Sequence, residues 1–455
     1  MRIIIIGLGK VGYTLAENLS AEKHDVTLIE LREEVLQRAS DTLDVMCVRG
    51  NGASIQLLRS AGVDHTDVVI ATTGRDELNM LCCLTAKRLG ATYTIARIRD
   101  VDYAREQNLL RSEMDIDMVV NPEMSTAAQI SRLLRFPNAA DIETFYRGRI
   151  ELVGMRINGD IPLINTPLSA IRKRLGNLPI LFCALDRNGE VLIPNGSTEF
   201  QNGDNVFVIG RSESITSFFK AIGRNSQRIK DAFIVGGGRI GMYLARSLTA
   251  MNMNVKIVES DPKKCVELCE MLPKALIING DGTDQELLIS ENVGRAGAFI
   301  ALTGRDEDNL ITATYAKQLG AKKVIAKINR QNFYDIINTL QIDSVISPKL
   351  ITAYSILRTI RALQNSRGSR MEAMYRIAGE KAEAMEFTVS SATQYLDVPL
   401  KELNQKLKPG ILIAVIVRDH NFIIPEGSDS IQINDNVIII SSGNQIHDLN
   451  DIFLA

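Results

Sequence analysis

Short apolar runs alternate with helical patterns through the first 137 residues of the chain. The runs RIIII, DVTLIE, DVMCV, DVVIA, YTIARI and DMVV have the length and β-branched content of strands. Apolar residues recur at helical spacing between them, from near Val11, Arg32, Ala53, Arg75 and Asp102, and a last predicted helix reads PEMSTAAQISRLLR. Strands that alternate with helices predict a doubly wound parallel sheet.

The first strand runs directly into a glycine turn, and the chain repeats this arrangement. Residues 3–12 read IIIIGLGKVG and residues 232–241 read AFIVGGGRIG. The matching glycines are Gly7, Gly9 and Gly12 in the first copy and Gly236, Gly238 and Gly241 in the second. In a dinucleotide-binding turn the first glycine makes the bend, the second admits a pyrophosphate, and the third lets the helix pack on the strand. The phosphates then lie on free N–H groups at the helix N-terminus.

An acidic residue ends the second strand of each copy. Glu30 and Glu259 each follow the last glycine of their copy by 18 residues. A carboxylate at this strand end can accept hydrogen bonds from both ribose hydroxyls, and by itself it repels a 2′-phosphate. A solvated carboxylate with no ligand is the alternative interpretation.

Other motifs at the predicted strand ends also occur twice. ATTGRDELNML at 71–81 returns as ALTGRDEDNLI at 301–311, and GNGAS at 50–54 returns as GDGTD at 280–284. Thr73 with Asp76, and their counterparts Thr303 with Asp306, have the spacing of a capping box. A Thr-Gly turn can in addition offer backbone and hydroxyl groups to a nucleotide. Arg97 in the first copy is replaced by Lys327 in the second, and this cation could reach a phosphate or form a structural salt bridge.

A different pattern of strands and helices follows each predicted sheet domain. Strand-like runs surround one helical segment, LSAIRKRLG, within about 80 residues, and LDVPLKELNQKL and NFIIPEGSDSIQINDNVIIIS repeat the same order near the C-terminus. The polar stretches GRNSQRIKD (223–231) and NSRGSR (365–370) are predicted links. We expect an α/β tandem duplication of two Rossmann-like doubly wound parallel-sheet domains, at 1–137 and 231–365, each followed by a small α+β domain, at 140–225 and 370–455.

Composition excludes several functional classes. With 52 basic and 54 acidic residues among 455, the chain has no broad basic face for nucleic acid. No apolar run approaches the length of a membrane span, and MRIIIIG is too short for a signal peptide, so we expect a cytoplasmic protein. The six scattered cysteines indicate reduced thiols. Cys265 and Cys269 could share a metal, but helix packing is the favoured interpretation because no further ligands stand nearby in the sequence.

These motifs together resemble a known family. GLGKVG with Glu30, GNG, TTGRDE and ARI, joined to a small domain carrying IPNG and GD, is similar to the potassium-conductance-regulating (RCK) fold. The duplicated order is similar to the nucleotide-binding peripheral subunits of the bacterial Trk potassium-uptake systems, across essentially the whole chain. The resemblance implies binding of NAD or NADH, with ATP or ADP as further candidates. It also implies a homo-oligomeric ring, either dimeric or tetrameric, that docks on a membrane potassium-translocating subunit at the inner face of the inner membrane.

The resemblance also implies a set of ligand-binding residues. In the first copy these are Gly7, Leu8, Gly9, Lys10 and Val11 at the pyrophosphate, Glu30 at the ribose, and Thr73, Gly74 and Arg97 nearby. In the second copy they are Gly236, Gly237, Gly238, Arg239, Ile240, Glu259, Thr303, Gly304 and Lys327. Lysine lacks the planar fork of arginine, which makes the ligand of the second site harder to assign.

Two other functions use the same glycine turn. An NAD-dependent oxidoreductase also requires a substrate domain with an acid–base group, and the small domains offer turns instead. A redox-sensing DNA repressor requires a basic helix-turn-helix, for which no segment outside the four domains is long enough. The sequence therefore favours a non-enzymatic regulatory subunit without catalytic residues or a metal.

Overall fold

A computed structural model describes residues 1–101, 103, 106, 112–159, 161–176, 178–224, 229–330, 340–364, 369–379 and 381–454. The helix predicted near Asp102 and parts of the two predicted links, 225–228 and 365–368, lie outside these residues. Four sheets alternate along the chain, two parallel and two antiparallel. The predicted fold class is therefore confirmed.

The first parallel sheet has the order β3-β2-β1-β4-β5-β6. Its strands are β1 (Arg2–Ile6), β2 (Asp25–Glu30), β3 (Met46–Arg49), β4 (Val68–Ala71), β5 (Tyr93–Arg97) and β6 (Met118–Val120). Its helices are α1 (Lys10–Ala21), α2 (Glu33–Thr42), α3 (Ile55–Ser60) and α4 (Asp76–Leu89), and α5 (Pro122–Arg135) follows. Strand β1 is buried on both faces from Ile3 to Ile6, as a central strand covered by helices must be.

The second parallel sheet repeats this order as β14-β13-β12-β15-β16-β17. Its strands are β12 (Asp231–Val235), β13 (Asn254–Glu259), β14 (Ala275–Asn279), β15 (Ala298–Ala301), β16 (Lys323–Lys327) and β17 (Ser344–Ile346). The small-domain helices α6 (Leu168–Leu175) and α7 (Ser212–Ala221) precede it in the chain. Its own helices are α8 (Arg239–Ala250), α9 (Pro262–Met271), α10 (Gln285–Ser290) and α11 (Asp306–Leu319), and α12 (Pro348–Gln364) follows.

Each small domain is built on an antiparallel sheet. The first has the order β10-β9-β11-β8-β7 and the second β18-β19-β22-β20-β21. The first contains β7 (Asp141–Phe145), β8 (Ile150–Arg156), β9 (Ile180–Arg187), β10 (Glu190–Leu192) and β11 (Asn205–Arg211). The second contains β18 (Arg370–Ile377), β19 (Ala382–Thr388), β20 (Ile411–Arg418), β21 (Asn421–Ile423), β22 (Asn436–Ser442) and the short helix α13 (Leu400–Leu403).

The prediction of one helix in the first small domain is wrong. Helix α7 follows β11 without a break and buries Ile215, Phe218 and Phe219. Strand β7 was also missed, because the segment DIETF alternates too weakly to be recognised as a strand.

The chain divides into two compact units, Met1–Ala128 with Ser347–Ile360 and Gln129–Ile346 with Arg361–Ala455. The first unit is therefore the first sheet domain together with most of α12, whose Thr359 hydroxyl lies 3.3 Å from the Met118 sulfur. In the second unit, the later part of α5 lies on the second sheet domain, where the Ser131 and Ser247 hydroxyls are 3.2 Å apart. The helix after each sheet thus contributes to the other copy, a pairing that the sequence did not predict.

The two small domains share one hydrophobic core inside the second unit. Residues of the first small domain, such as Phe145 and Phe207, belong to the same buried cluster as Ile438 and Ile440 of the second. The Phe145 ring meets the Tyr375 ring edge-on, with ring centroids 5.1 Å apart. Each antiparallel sheet thus buries one face against the other.

Candidate nucleotide sites

The first glycine of each turn is fixed by its backbone conformation. Gly7 has φ +91°, and a Cβ there would lie 2.8 Å from the backbone nitrogen of Thr73. Gly236 has φ +104° and meets the backbone of Leu302 in the same way, at 3.0 Å. Only glycine adopts this left-handed conformation so close to a neighbouring strand end without strain.

The third glycine is fixed by close packing of the helix on the turn. A Cβ on Gly12 would overlap the Gly7 carbonyl oxygen, and a Cβ on Gly241 would overlap that of Gly236. The sharp bend and the close approach of α1 and α8 therefore depend on these residues, as the sequence predicted.

The middle glycine has no such explanation within the protein. Gly9 and Gly238 have φ −70° and −63°, which any residue adopts, and a Cβ on either would meet nothing within 4 Å. Both glycines occupy N-cap positions, and no side chain caps either helix, so the first-turn N–H groups have no side-chain acceptor there. An empty approach to backbone N–H groups is what a bound pyrophosphate requires.

The predicted ribose carboxylates lie against these turns. The Leu8 N–H donates to Glu30 Oε2 at 2.8 Å, and the Gly237 N–H donates to Glu259 Oε2 at 2.9 Å. Burial acts to raise the pKa of Glu30, but hydrogen bonds from the Arg32 side chain and the Leu8 backbone outweigh it, so the pKa is lowered. The pKa of Glu259 is lowered in the same way, against burial, chiefly by Lys264. Both carboxyls are therefore ionised acceptors at neutral pH.

The predicted residues on each turn differ in what they expose. The side chains of Leu8 and Val11 are buried, so these residues can offer only backbone groups to a ligand. Lys10 and Arg239 begin their helices with exposed side chains. Ile240 is half-buried.

The predicted capping boxes are not formed. Helix α4 begins at Asp76 and α11 at Asp306, and neither is capped by a side chain. The Asp76 carboxylate accepts instead from the Arg99 N–H at 2.7 Å, and Asp306 accepts from the Asn329 N–H at 2.9 Å. The threonine stands too far ahead of the first helical turn, because Arg75 and Arg305 occupy the N-cap positions.

A buried asparagine holds the loop that contains Thr73 in the first copy and Thr303 in the second, here called the threonine loops. The sequence patterns did not single this asparagine out. Asn79 accepts from the Thr73 N–H at 2.8 Å and from the Thr73 hydroxyl, and donates to the Arg97 carbonyl at 2.8 Å. Asn309 makes the same bonds with Thr303 and the Lys327 carbonyl. The available signal was the asparagine at the same place in both motifs, TGRDELN and TGRDEDN.

The strand-end cations also support the loops. The Arg97 guanidinium donates to the Thr73 carbonyl, and Lys327 Nζ donates to the Leu302 carbonyl at 3.3 Å. Through these bonds each cation ties the end of its own strand to the neighbouring loop. Beside them, Gly74 and Gly304 are exposed, and a Cβ on either would meet nothing within 4 Å.

The remaining candidates have structural explanations. A Cβ on Gly52 would overlap Ile6, and one on Gly282 would overlap Val235, so these glycines serve packing. Cys265 is buried on α9 and Cys269 is exposed. Among the residues that the structure describes, no group of three or more His, Cys, Asp or Glu side chains could hold a metal. None of the helices formed by these same residues has both the length and the hydropathy that a membrane span requires.

The chain contains two copies of a Rossmann-like domain with a glycine turn, each followed by a small antiparallel domain. This duplicated arrangement defines a class of tandem proteins with a nucleotide-binding fold. The TrkA-N domain model matches residues 3–122 and 232–348, and the TrkA-C domain model matches residues 152–223 and 384–454. The chain belongs to the TrkA family.

Relatives match this chain over nearly their full length. The chain is 34% identical over 465 residues to "Trk system potassium uptake protein TrkA homolog 2" of Methanosarcina mazei, with 100% of both chains covered. It is 33% identical to "Trk system potassium uptake protein TrkA" of Vibrio alginolyticus, with 96% of this chain and 95% of the relative covered.

Solved structures share the fold at low identity. The GsuK RCK domain superposes with a TM-score of 0.63 at 18% identity, covering 97% of this chain and 92% of that one. The structure titled "GsuK channel bound to NAD" superposes with a TM-score of 0.62 at 19% identity, covering 97% and 77%.

Proposed function

We propose that this protein is a nucleotide-binding regulatory subunit of a Trk-type potassium-uptake system. NAD or NADH, with ATP or ADP as further candidates, would bind at both glycine turns. The observation that carries this proposal is the pair of open glycines, Gly9 and Gly238, each beside an ionised carboxylate on the next strand. The fold itself does not require glycine at these two positions, whereas a bound pyrophosphate does.

The proposed ligand contacts follow the geometry of each turn. The first-turn N–H groups of α1 and α8 would hold the phosphates, with Lys10 and Arg239 able to reach them from the same turn. Glu30 and Glu259 would accept the ribose hydroxyls. Thr73 with Gly74, and Thr303 with Gly304, would border the ligand, while Arg97 and Lys327 would act chiefly by holding these loops.

The regulated partner would be a membrane potassium-translocating subunit, and this chain would dock on its cytoplasmic side as a homo-oligomeric ring. The names of the relatives support this assignment. The role would be regulatory rather than enzymatic. A nucleotide regulates only through its different affinities for two states of the assembly, and a coupling of about 1–3 kcal/mol is typical.

Potassium flux through the reconstituted partner tests the proposal. Nucleotides should change the flux with the unsubstituted protein, and Gly9→Val combined with Gly238→Val should remove that response. A normal nucleotide response from the doubly substituted protein would exclude these turns as the sensors. Steady oxidation of NADH with a small carbonyl compound would instead favour an oxidoreductase.

A further inference from the structure

A cavity of about 410 Å³ lies where the two small domains meet. The first small domain contributes Tyr146, Arg149 and Arg211 to its lining, and the second contributes His420 and Phe422. We call this place the His420 corner. It lies away from both glycine turns in the sequence, and the nucleotide proposal does not use its residues.

The duplication provides a second corner for comparison. Arg211 pairs with Ile150 between β11 and β8, and Ser442 pairs with Ala382 at the matching place between β22 and β19. The hairpin RNGE at 187–190 likewise matches RDHN at 418–421. By this register Tyr146, Arg149, Arg211, His420 and Phe422 correspond to Ala378, Lys381, Ser442, Gly189 and Val191. The His420 corner therefore carries large aromatic and basic side chains where the other corner is mostly small or apolar.

The conformation of the hairpin turn does not favour a histidine at position 420. His420 has φ +65° and follows Asp419 at φ +49°, while Asn188 and Gly189 have +52° and +83° in the other hairpin. A two-residue hairpin of this kind favours glycine, because a Cβ is strained in the left-handed region. His420 keeps this unfavourable position and forms a hydrogen bond with the Tyr146 hydroxyl through Nδ1. The bond fixes the ring at the edge of the cavity.

The two arginines of the corner are available to an anion. Within the described part of the chain, neither Arg149 nor Arg211 lies within ion-pair distance of a carboxylate. The Arg211 guanidinium lies over the Phe422 ring, 5.6 Å from its centroid, which gives the cavity a flat cationic wall.

Acidic groups near the corner do not neutralise these arginines. Glu213 lines the cavity but is exposed on the first turn of α7. Glu151 is not among the residues that line the cavity; it is buried and hydrogen-bonded to Ser212, and burial raises its pKa. Glu386 accepts the Tyr146 N–H at 2.8 Å. The cavity lining therefore carries two guanidinium groups, Arg149 and Arg211, against one carboxylate, Glu213, and its net charge is positive.

We propose that the His420 corner binds a small multivalent anion, a phosphate ester or a polycarboxylate, between the two small domains. Guanidinium groups suit such ligands because they donate two parallel hydrogen bonds to phosphate or carboxylate. The cavity is larger than a bare phosphate and leaves room for the rest of a small metabolite. Such a ligand would join the two halves of the chain through Arg211 on one side and His420 on the other.

The test uses the full-length protein with Gly9→Val and Gly238→Val, so that anions are kept from the glycine turns. Inorganic phosphate and citrate are titrated by calorimetry at constant ionic strength, which separates the two anion chemistries. We expect saturable binding of at least one of them. The triple substitution Arg211→Ser, His420→Gly and Phe422→Val should weaken that binding by about tenfold or more, because charge-assisted hydrogen bonds are lost.

The triple variant is a matched control as well as a test, since each new residue already occupies the equivalent place at the other corner. His420→Gly alone should leave the unfolding temperature unchanged or raise it, because glycine suits the turn, and should still weaken anion binding. The proposal is overturned if the parent protein binds neither anion, or if the triple variant binds them as the parent does.

Discussion

The two sheet domains share a backbone frame and differ in the side chains around the ribose end. In the first copy Arg32 occupies the N-cap position of α2 without capping it, and its Nε donates to Glu30 Oε1 at 3.2 Å. In the second copy Asp261 caps α9, and the cation on Glu259 is Lys264, at 3.0 Å. In the first copy, the forked guanidinium of Arg32 thus faces both carboxylate oxygens of Glu30. In the second copy, Asp261 caps the helix and the single ammonium group of Lys264 contacts Glu259.

This difference separates the residues that the fold requires at each site from the residues that can vary between the two copies. The glycines that make the bend, the carboxylate at the strand end and the asparagine of the threonine loop are the same in both copies, because each fixes the backbone. The cations vary because they stand at the solvent-facing edge, where several side chains can satisfy one carboxylate. The two sites can therefore keep one shape and differ in ligand preference.

The largest expected effect separates the two kinds of glycine. Gly12→Val and Gly241→Val should destabilise their sheet domain by about 3 kcal/mol or more, since the new side chain overlaps backbone. Gly9→Val and Gly238→Val should cost only about 1 kcal/mol of stability, because valine is a poorer N-cap residue than glycine, and should reduce dinucleotide binding in their own half by about a hundredfold or more. Thermal unfolding and calorimetry on the same four proteins measure both effects. A loss of stability in the Gly9 variant as large as that in the Gly12 variant would contradict the open space seen at that position.

A smaller effect is expected at the ribose carboxylates. Glu30→Ala and Glu259→Ala should each weaken NAD binding about ten- to a hundredfold, or roughly 1.4–2.8 kcal/mol, because two charge-assisted hydrogen bonds are replaced by water. Each variant is best titrated with the other half silenced by its glycine substitution. Unchanged affinity in one half would remove that carboxylate from the ribose role and leave the other assignment intact.

The last expected effect is spread over several pH units and concerns a contrast at the opposite end of the sheets. Lys323 is 1% exposed at the start of β16 and donates to the Ala139 carbonyl, whereas Tyr93 stands at the matching place in β5. Burial lowers the pKa of Lys323 to about 8, from 10.5 for a solvated lysine. Between these values only the unfolded chain holds the proton, so the free energy of unfolding should rise with pH, by about 1–3 kcal/mol in all.

Chemical unfolding at several pH values between 7.5 and 10 measures this rise. Lys323→Met should remove it, and Lys322→Met, at the exposed neighbouring lysine, should leave it unchanged. Identical pH profiles for the Lys323 variant and the unsubstituted protein would show that the buried amine does not titrate in this range.

The repeated motifs made much of the candidate site predictable. Glycine spacing and an acidic strand end are local features, so Gly9 and Glu30 could be paired from sequence, and the structure joins their neighbourhoods through the Leu8 N–H. Asn79 was missed because its partners, Thr73 and the Arg97 carbonyl, are brought together only when β4 and β5 pair. The prediction of the two capping boxes was wrong because the spacing of threonine and aspartate alone does not locate the first helical turn.

The sequence by itself determined the order of elements, the two copies and the glycine turns, because hydrophobic period and backbone conformation act over a few residues. Only the tertiary structure decided which surfaces meet: the exchange of helices between copies, the shared core of the small domains, and the burial of Lys323 under Ala139. These contacts depend on the packing of residues far apart in the chain. In the sequence these residues look like ordinary apolar or polar residues. Their roles become apparent only from the neighbours that they contact in the folded protein.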